Sequence, residues 1–232
     1  MTPDPLTTAA RRSLSIEAGG VRLQGDLVVP SGSHGLVVFA HGSGSGRLSP
    51  RNQRVAERLQ QARLATLLFD LLTPAEEVLD RETAHLRFDI GLLATRLVGV
   101  TDWIEGTVDL RALTIGYFGA STGAAAALVA AAQRPKRIRA VVSRGGRPDL
   151  AGQFLPQVKA ATLLIVGGAD ATVLRLNQGA MAQMQLAHTE LIIVPRATHL
   201  FEEPGALNQV ALHASTWFDR YLSVAQAGLT VP

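Results

Sequence analysis

Short, almost uninterrupted apolar runs alternate along this chain with longer stretches in which apolar residues recur every three or four positions. The runs Leu36–Ala40, Ala65–Leu71, Leu113–Phe118, Ile138–Ser143, Thr162–Val166 and Glu190–Val194 predict strands. A strand apolar on both faces is buried on both faces, which suits a parallel sheet covered by helices. The helical spacing falls between those runs. It predicts helices over Arg51–Arg63, with Val55 and Leu59 inside, and over His85–Gly106, with Leu86, Ile90, Leu93, Leu97, Val100 and Ile104 on one stripe. Further helices are predicted at Thr122–Gln133, Val173–Gln185 and Leu207–Tyr221, the last with Pro204 near its start. Ahead of this alternation, Ser13–Glu17 and Val21–Val29 read as two strands joined at Gly19-Gly20, an antiparallel edge. Thr73–Arg81 is acidic and reads as irregular, and Leu150–Val158 as a short helix. The class is α/β: a mostly parallel sheet, helices on both faces, antiparallel strands at its N-terminal edge. Residues 1–232 read as one domain, with 1–11 a loosely attached tail.

Composition narrows the chemistry. With 47% hydrophobic and 18% charged residues, a chain of 232 can fill an ordinary core. It contains no cysteine, which excludes disulfides, thiolate metal sites and a cysteine nucleophile. Lys136 and Lys159 are the only lysines among 22 basic residues, and the arginines are interleaved with acids, so no nucleic-acid face is expected. The apolar stretches are too short to cross a bilayer, and Met1–Arg12 has no apolar leader segment; the expectation is a cytoplasmic protein without membrane contact. No His, Asp and Glu grouping has metal-ligand spacing, and no cofactor motif is complete. In His41-Gly42-Ser43-Gly44-Ser45-Gly46-Arg47, an arginine stands where the third glycine of a dinucleotide loop belongs.

One motif sits where a strand gives way to a helix: Gly119-Ala120-Ser121-Thr122-Gly123. A sharp strand-to-helix turn brings the two backbones together, so the positions two before and two after the serine must lack side chains. Ser121 then stands exposed as a nucleophile. A serine hydroxyl needs a base, and the base needs an orienting group. In a parallel sheet both should follow the carboxyl ends of strands. Asp170 follows the strand ending at Val166, and His199 follows the strand ending at Val194. Asp149 is a competing acid after the preceding strand. The other histidines are less well placed: His34, His85, His188 and His213 lie in turns or on helices, and His41 precedes a glycine whose backbone is needed elsewhere. The segment His41–Gly46 reads as an oxyanion loop, with the N–H of Ser43 as one donor and that of Thr122 as the other. Arg144 could meet a substrate carboxylate or pair with Asp149 to pin its loop, and Glu76 and Glu77 read as a solvated face.

His41-Gly42-Ser43-Gly44, Gly119–Gly123, Gly168-Ala169-Asp170 and Thr198-His199 together resemble the α/β-hydrolase superfamily, in its small dienelactone-hydrolase-like branch, over residues 13–225. The resemblance implies an α/β-hydrolase fold and a triad of Ser121, Asp170 and His199. Dienelactone hydrolases proper use a cysteine nucleophile, which this chain lacks, and a serine esterase is implied instead. The segments where a cap domain would be inserted are short, which implies no lid or a minimal one and an open cleft. The expected function is cleavage of small or short-chain carboxylic esters through an acyl-enzyme on Ser121. Acyl transfer, thioester or peptide cleavage with the same triad stays open, as does a non-catalytic ligand-binding role on this fold.

Overall fold

The computed structural model describes residues 10–223. Eight strands form one sheet in the order β1-β2-β4-β3-β5-β6-β7-β8. They are β1 (Arg12–Ala18), β2 (Val21–Val28), β3 (Gly35–Ala40), β4 (Leu64–Phe69), β5 (Thr114–Ala120), β6 (Ile138–Arg144), β7 (Ala161–Gly167) and β8 (Thr189–Val194). β1 pairs with β2, and β2 with β4, antiparallel; every later pairing is parallel. This is the α/β arrangement the alternation predicts. The strands β3 to β7 are buried along almost their whole length because helices cover both faces.

The helices are α1 (Pro50–Gln61), α2 (Pro74–Thr83), α3 (Ile90–Gly106), α4 (Thr122–Gln133), α5 (Ala171–Met181) and α6 (Ala206–Leu222). One core layer packs α3 and α4 against the sheet through Leu93, Leu97, Val100, Ile104 and the alanines of α4. The other packs Val55 and Leu59 of α1 with Val210, Ala214, Trp217 and Phe218 of α6. α4 is buried from Thr122 to Ala131. Its alanines leave no long side chains to hold it off the sheet, so the helix that starts at Ser121 lies deep in the molecule.

Three local expectations change. The acidic segment after β4 is a helix, α2, because Thr73 and Glu76 form a reciprocal capping box with Pro74 in the first turn. Glu76 is not simply solvated: besides the Thr73 N–H it accepts the buried Arg96 guanidinium at 2.8 Å. The helix expected over His85–Gly106 is interrupted. Leu86–Phe88 form a 3-10 turn, and α3 starts afresh at Ile90 because the Asp89 side chain accepts the Leu92 N–H at 2.9 Å. The short helix near Leu150 is a 3-10 run over Pro148–Gln157, broken at Gly152. Of the tail expected over 1–11, residues 1–9 lie outside the described residues, and Arg11 is tied to Asp26 at 2.7 Å.

The topology locates a site. From β3 the chain steps one way to β4 and then returns to the other side of β3 as β5. Connections leaving β3 and β5 therefore diverge, and a crevice opens between their carboxyl ends, where ligands bind in sheets of this kind. His41–Gly46 leaves β3 there, and Ser121 leaves β5.

Candidate active site

Ser121 has φ 50° and ψ −121°, outside the regions comfortable for an L-residue. Such a conformation costs about 1–3 kcal/mol and persists only where the surroundings leave no alternative. Here they leave none. A Cβ at Gly119 would stand 2.4 Å from Ala124 Cα, and one at Gly123 would stand 2.2 Å from the Ala40 carbonyl oxygen. The turn is also tied by its backbone: Ser121 N–H donates to the Arg144 carbonyl at 3.3 Å, and the Ser121 carbonyl accepts the Arg147 N–H at 3.1 Å.

His199 and Asp170 meet. His199 Nδ1 lies 2.8 Å from Asp170 Oδ2, and Asp170 Oδ1 caps α5 by accepting the Val173 N–H at 3.2 Å. One carboxylate thus orients the imidazole and is itself held by a helix start. The segment that ties Ser121 also lies against the loop carrying His199: a Cβ at Gly145 would lie 3.0 Å from the His199 carbonyl oxygen and 3.6 Å from its Cε1. Among the described residues no hydrogen bond of Ser121 Oγ accompanies the His199–Asp170 contact. Such bonds are often long before a substrate is bound.

Ser43 N–H donates to Thr122 Oγ1 at 3.1 Å, so the two expected oxyanion residues touch each other across the crevice. The loop carrying Ser43 is held at both ends. At one end His41 Nε2 accepts the Leu71 N–H at 2.9 Å, which leaves the ring proton on Nδ1, 3.0 Å from the Gly42 carbonyl. His41 is buried, and that burial holds its imidazole below the usual histidine range, in the neutral form. At the other end Arg47 N–H donates to Asp70 Oδ1 at 2.7 Å, and the Arg47 guanidinium bridges Asp70 and Asp26. Neither the anchoring role of His41 nor the tie between Asp70 and Arg47 is announced by a local motif. Their one visible signal was position, at or just beyond the carboxyl ends of β3 and β4.

Beside this loop lies a cavity of about 750 Å³. Ser43 and Thr122 line it, with Arg47, Arg51, Arg81 and Arg87 among its cations and Asp70, Glu77 and Asp80 among its acids. α2 and the turn that follows it form one wall.

Arg144 does not pair with Asp149. Arg147, two residues from that acid, takes both carboxylate oxygens at 2.9 and 2.8 Å. Asp149 is therefore engaged away from His199 and is not the triad acid in this arrangement. Arg144 is 8% exposed, and its Nε and Nη1 are buried with no hydrogen-bond partner. Burial, and secondarily the charge of Arg51, push its pKa down to about 10. Among the described residues no group of three or more His, Asp or Glu side chains could hold a metal ion, and no helix is long and apolar enough to cross a membrane.

A nucleophile elbow at the switch point of such a sheet is an α/β-hydrolase arrangement, and comparison with known proteins agrees. The chain is 61% identical to a dienelactone hydrolase from Anabaena variabilis, with a TM-score of 0.91 over 93% of this chain and 99% of that one. The chain belongs to the α/β-hydrolase superfamily, in its dienelactone-hydrolase-like branch. The same fold recurs at 17% identity in Est1E from Butyrivibrio proteoclasticus, with a TM-score of 0.72 over 90% of this chain and 98% of that one. An esterase from Pyrococcus furiosus, at 18% identity, has a TM-score of 0.74 over 96% of this chain and 95% of its own. Two curated relatives from Mycobacterium tuberculosis, provisionally named phosphoribosyl transferases, are 58% identical over 209 residues. That match takes in 90% of this chain but spans only 46% of theirs. No family model matches the chain.

Proposed function

We propose that this chain is a serine hydrolase that cleaves small carboxylic esters through an acyl-enzyme on Ser121. Two observations carry the reading: the strained turn at Ser121, and an imidazole whose Nδ1 is held 2.8 Å from a carboxylate and whose loop packs against Gly145, the residue after the one that accepts the Ser121 N–H. His199 takes the proton of Ser121 as Oγ attacks the ester carbonyl, then returns it to the departing alcohol. Asp170 keeps the imidazole oriented and stabilises the imidazolium. The Thr122 N–H, and the Ser43 N–H once it exchanges its bond to Thr122 Oγ1 for the substrate, receive the charge that develops on the carbonyl oxygen; losing one such donor costs about 3 kcal/mol of transition-state stabilisation. Water, deprotonated by His199, then releases the acid. The dienelactone hydrolase and the esterases among the structural relatives support hydrolysis as the reaction class. Phosphoribosyl transfer, named for the curated relatives, is not assigned to this chain, which matches less than half of the length of those proteins.

The test is Ser121→Ala with p-nitrophenyl acetate and a fluorophosphonate probe. Turnover is expected to fall at least a thousandfold, and labelling to disappear, with the melting temperature retained. Retained turnover would reject the assignment, and an unlabelled wild-type protein would favour a ligand-binding role.

A further inference from the structure

In the proposed reaction His199 meets Ser121 from a loop that is itself poorly buried. Between β8 and α6 this loop is anchored at two apolar points. Ala197 is fully buried; its carbonyl accepts the Ala169 N–H at 2.9 Å, and a Cβ at Gly167 would stand 2.3 Å from that oxygen. Phe201 is 1% exposed, with its ring against Gly145. It holds φ 57°, a left-handed conformation unusual for a bulky side chain, which persists only where packing enforces it. The three residues between these anchors, Thr198, His199 and Leu200, are exposed or half-buried. They form a tight turn in which the Phe201 N–H donates to the Thr198 carbonyl at 3.2 Å, and His199 stands at its first corner.

A polar tie to this turn comes from Glu203. Its Oε1 accepts both the Thr198 N–H at 3.0 Å and the Thr198 hydroxyl at 2.5 Å. The hydroxyl bond, above all, holds the Glu203 carboxyl below the ordinary carboxylate range, so the acceptor is ionised at neutral pH. Arg51 and Arg54 line the hollow beside Glu203, yet among the described residues neither pairs with it: Arg51 pairs with Glu202, and Arg54 donates to the Asn208 side chain. A carboxylate that only balanced surface charge would have guanidinium partners at hand, and Glu203 does not use them. Its second oxygen, Oε2, is buried with no hydrogen-bond partner among the described residues, an arrangement that costs stability and is expected chiefly where function requires it. The carboxylate is committed to a single residue, and that residue is the one before His199.

We propose that Glu203 is a positioning residue for the reaction: through Thr198 it fixes the turn that carries His199, and so sets where the imidazole stands relative to Ser121. Asp170 governs how the ring is rotated, by its bond at Nδ1, whereas Glu203 governs where the backbone beneath the ring sits. A misplacement of about 1 Å in a catalytic group can cost on the order of a hundredfold in rate. The catalytic half of this role rests on the serine-hydrolase reading; the ordering of the turn does not.

The test compares Glu203→Ala, Glu203→Gln, Thr198→Val and the double variant Thr198→Val/Glu203→Ala with wild type on p-nitrophenyl acetate. In Glu203→Ala kcat should fall about tenfold with KM changed less than about twofold, because His199 serves both acylation and deacylation. Labelling by the fluorophosphonate probe should slow in parallel. Glu203→Gln keeps an oxygen toward Thr198 and should retain about a third of wild-type kcat or more. Thr198→Val lies at an exposed position that tolerates the change, removes only the hydroxyl donor and should cost about threefold. Once Glu203 is gone that hydroxyl has nothing left to hold, so the double variant should be no slower than Glu203→Ala. An acid with a merely structural role lowers the melting temperature and leaves kcat unchanged. That result overturns the proposal, as do losses that multiply in the double variant, or wild-type kcat in Thr198→Val should Glu203→Ala fail to fold. A readout without turnover is the downfield proton resonance of the His199–Asp170 hydrogen bond, identified by its loss in Asp170→Asn. It should broaden or vanish in Glu203→Ala and persist in Glu203→Gln. If the hydrolase reading fails, Ser121→Ala stays active while this resonance still responds to Glu203→Ala. If the positioning role fails, Ser121→Ala is inactive while Glu203→Ala keeps both the resonance and kcat.

Discussion

The turn at Ser121 and the loop from Gly42 to Arg47 border the same crevice, and they are made rigid in different ways. The turn is fixed by exclusion: backbone atoms of α4 and β3 occupy the space where side chains at Gly119 and Gly123 would be. The loop is fixed by polar ties: His41 to the Leu71 N–H, Arg47 to Asp70 and Asp26, Ser43 N–H to Thr122. Steric exclusion does not weaken with pH or salt. Hydrogen bonds to a histidine and a half-exposed arginine do. The proposed nucleophile is thus presented by the part of the cleft least open to adjustment, and the proposed oxyanion donor by the part whose geometry depends on solution conditions.

The largest test of this contrast is Gly123→Ala. The added methyl must move either β3 or α4, and overpacking of this kind costs about 3 kcal/mol. Urea denaturation should show a loss of that size together with loss of esterase activity. A variant of wild-type stability and activity would mean that the turn is not held by exclusion.

Asp70→Asn tests the loop and should do less. The amide oxygen can still accept the Arg47 N–H, but its NH2 then faces the guanidinium. A lost charge-assisted bond is worth about 1–2 kcal/mol, and with Asp70 partly exposed the lower figure applies. If that cost falls on the position of the Ser43 amide, kcat should drop about tenfold. Unchanged kcat with reduced stability would separate the loop's anchoring from its catalytic geometry.

The same contrast explains what could be read from the chain beforehand. The elbow's requirements are met within five residues, Gly119 to Gly123, and its strand and helix carry unmistakable apolar periods, so both showed in the sequence. Asp170 and His199 stood out as candidates because each follows an apolar strand run at the edge where sites form, although only β7 is buried along its length and β8 is buried at Val194 alone. The ties of the oxyanion loop join residues 23 and 30 positions apart, which meet only because β3 pairs with β4, and nothing local announces them. The alternative that paired Arg144 with Asp149 fails for another reason. Asp149 was the nearest plausible acid, but Arg147 is closer to it in the chain and its planar fork matches the carboxylate. Competition among three neighbouring charged side chains is settled by geometry that periodicity does not encode. Helix α2 was missed although its signal, Thr73-Pro74-Ala75-Glu76, was present, because the acidic run was read for its charge and not for its cap.

The smallest expected effect concerns pH and falls on His41 alone. Its Nε2 must stay unprotonated to accept the Leu71 N–H, and burial lowers its folded-state pKa below the ordinary value near 6.5. In the unfolded chain the imidazole takes up a proton as pH falls through about 6.5, while in the folded protein it does not until a lower pH. The unfolded state therefore binds more protons in that interval, and the contribution of His41 is complete above about pH 6.5 and is lost as pH falls toward the folded value. One site cannot contribute more than about 1.4 kcal/mol per pH unit. His41→Gln places a non-titrating oxygen near the position of Nε2, so it should keep the tie and remove the proton. The difference in melting temperature between pH 7.5 and pH 5.5 should be smaller for the variant than for wild type, by a few degrees at most. Equal differences would show that the loop's tie to Leu71 is as indifferent to acid as the packed turn at Ser121, and the contrast between the two regions would then rest on Arg47 and Asp70.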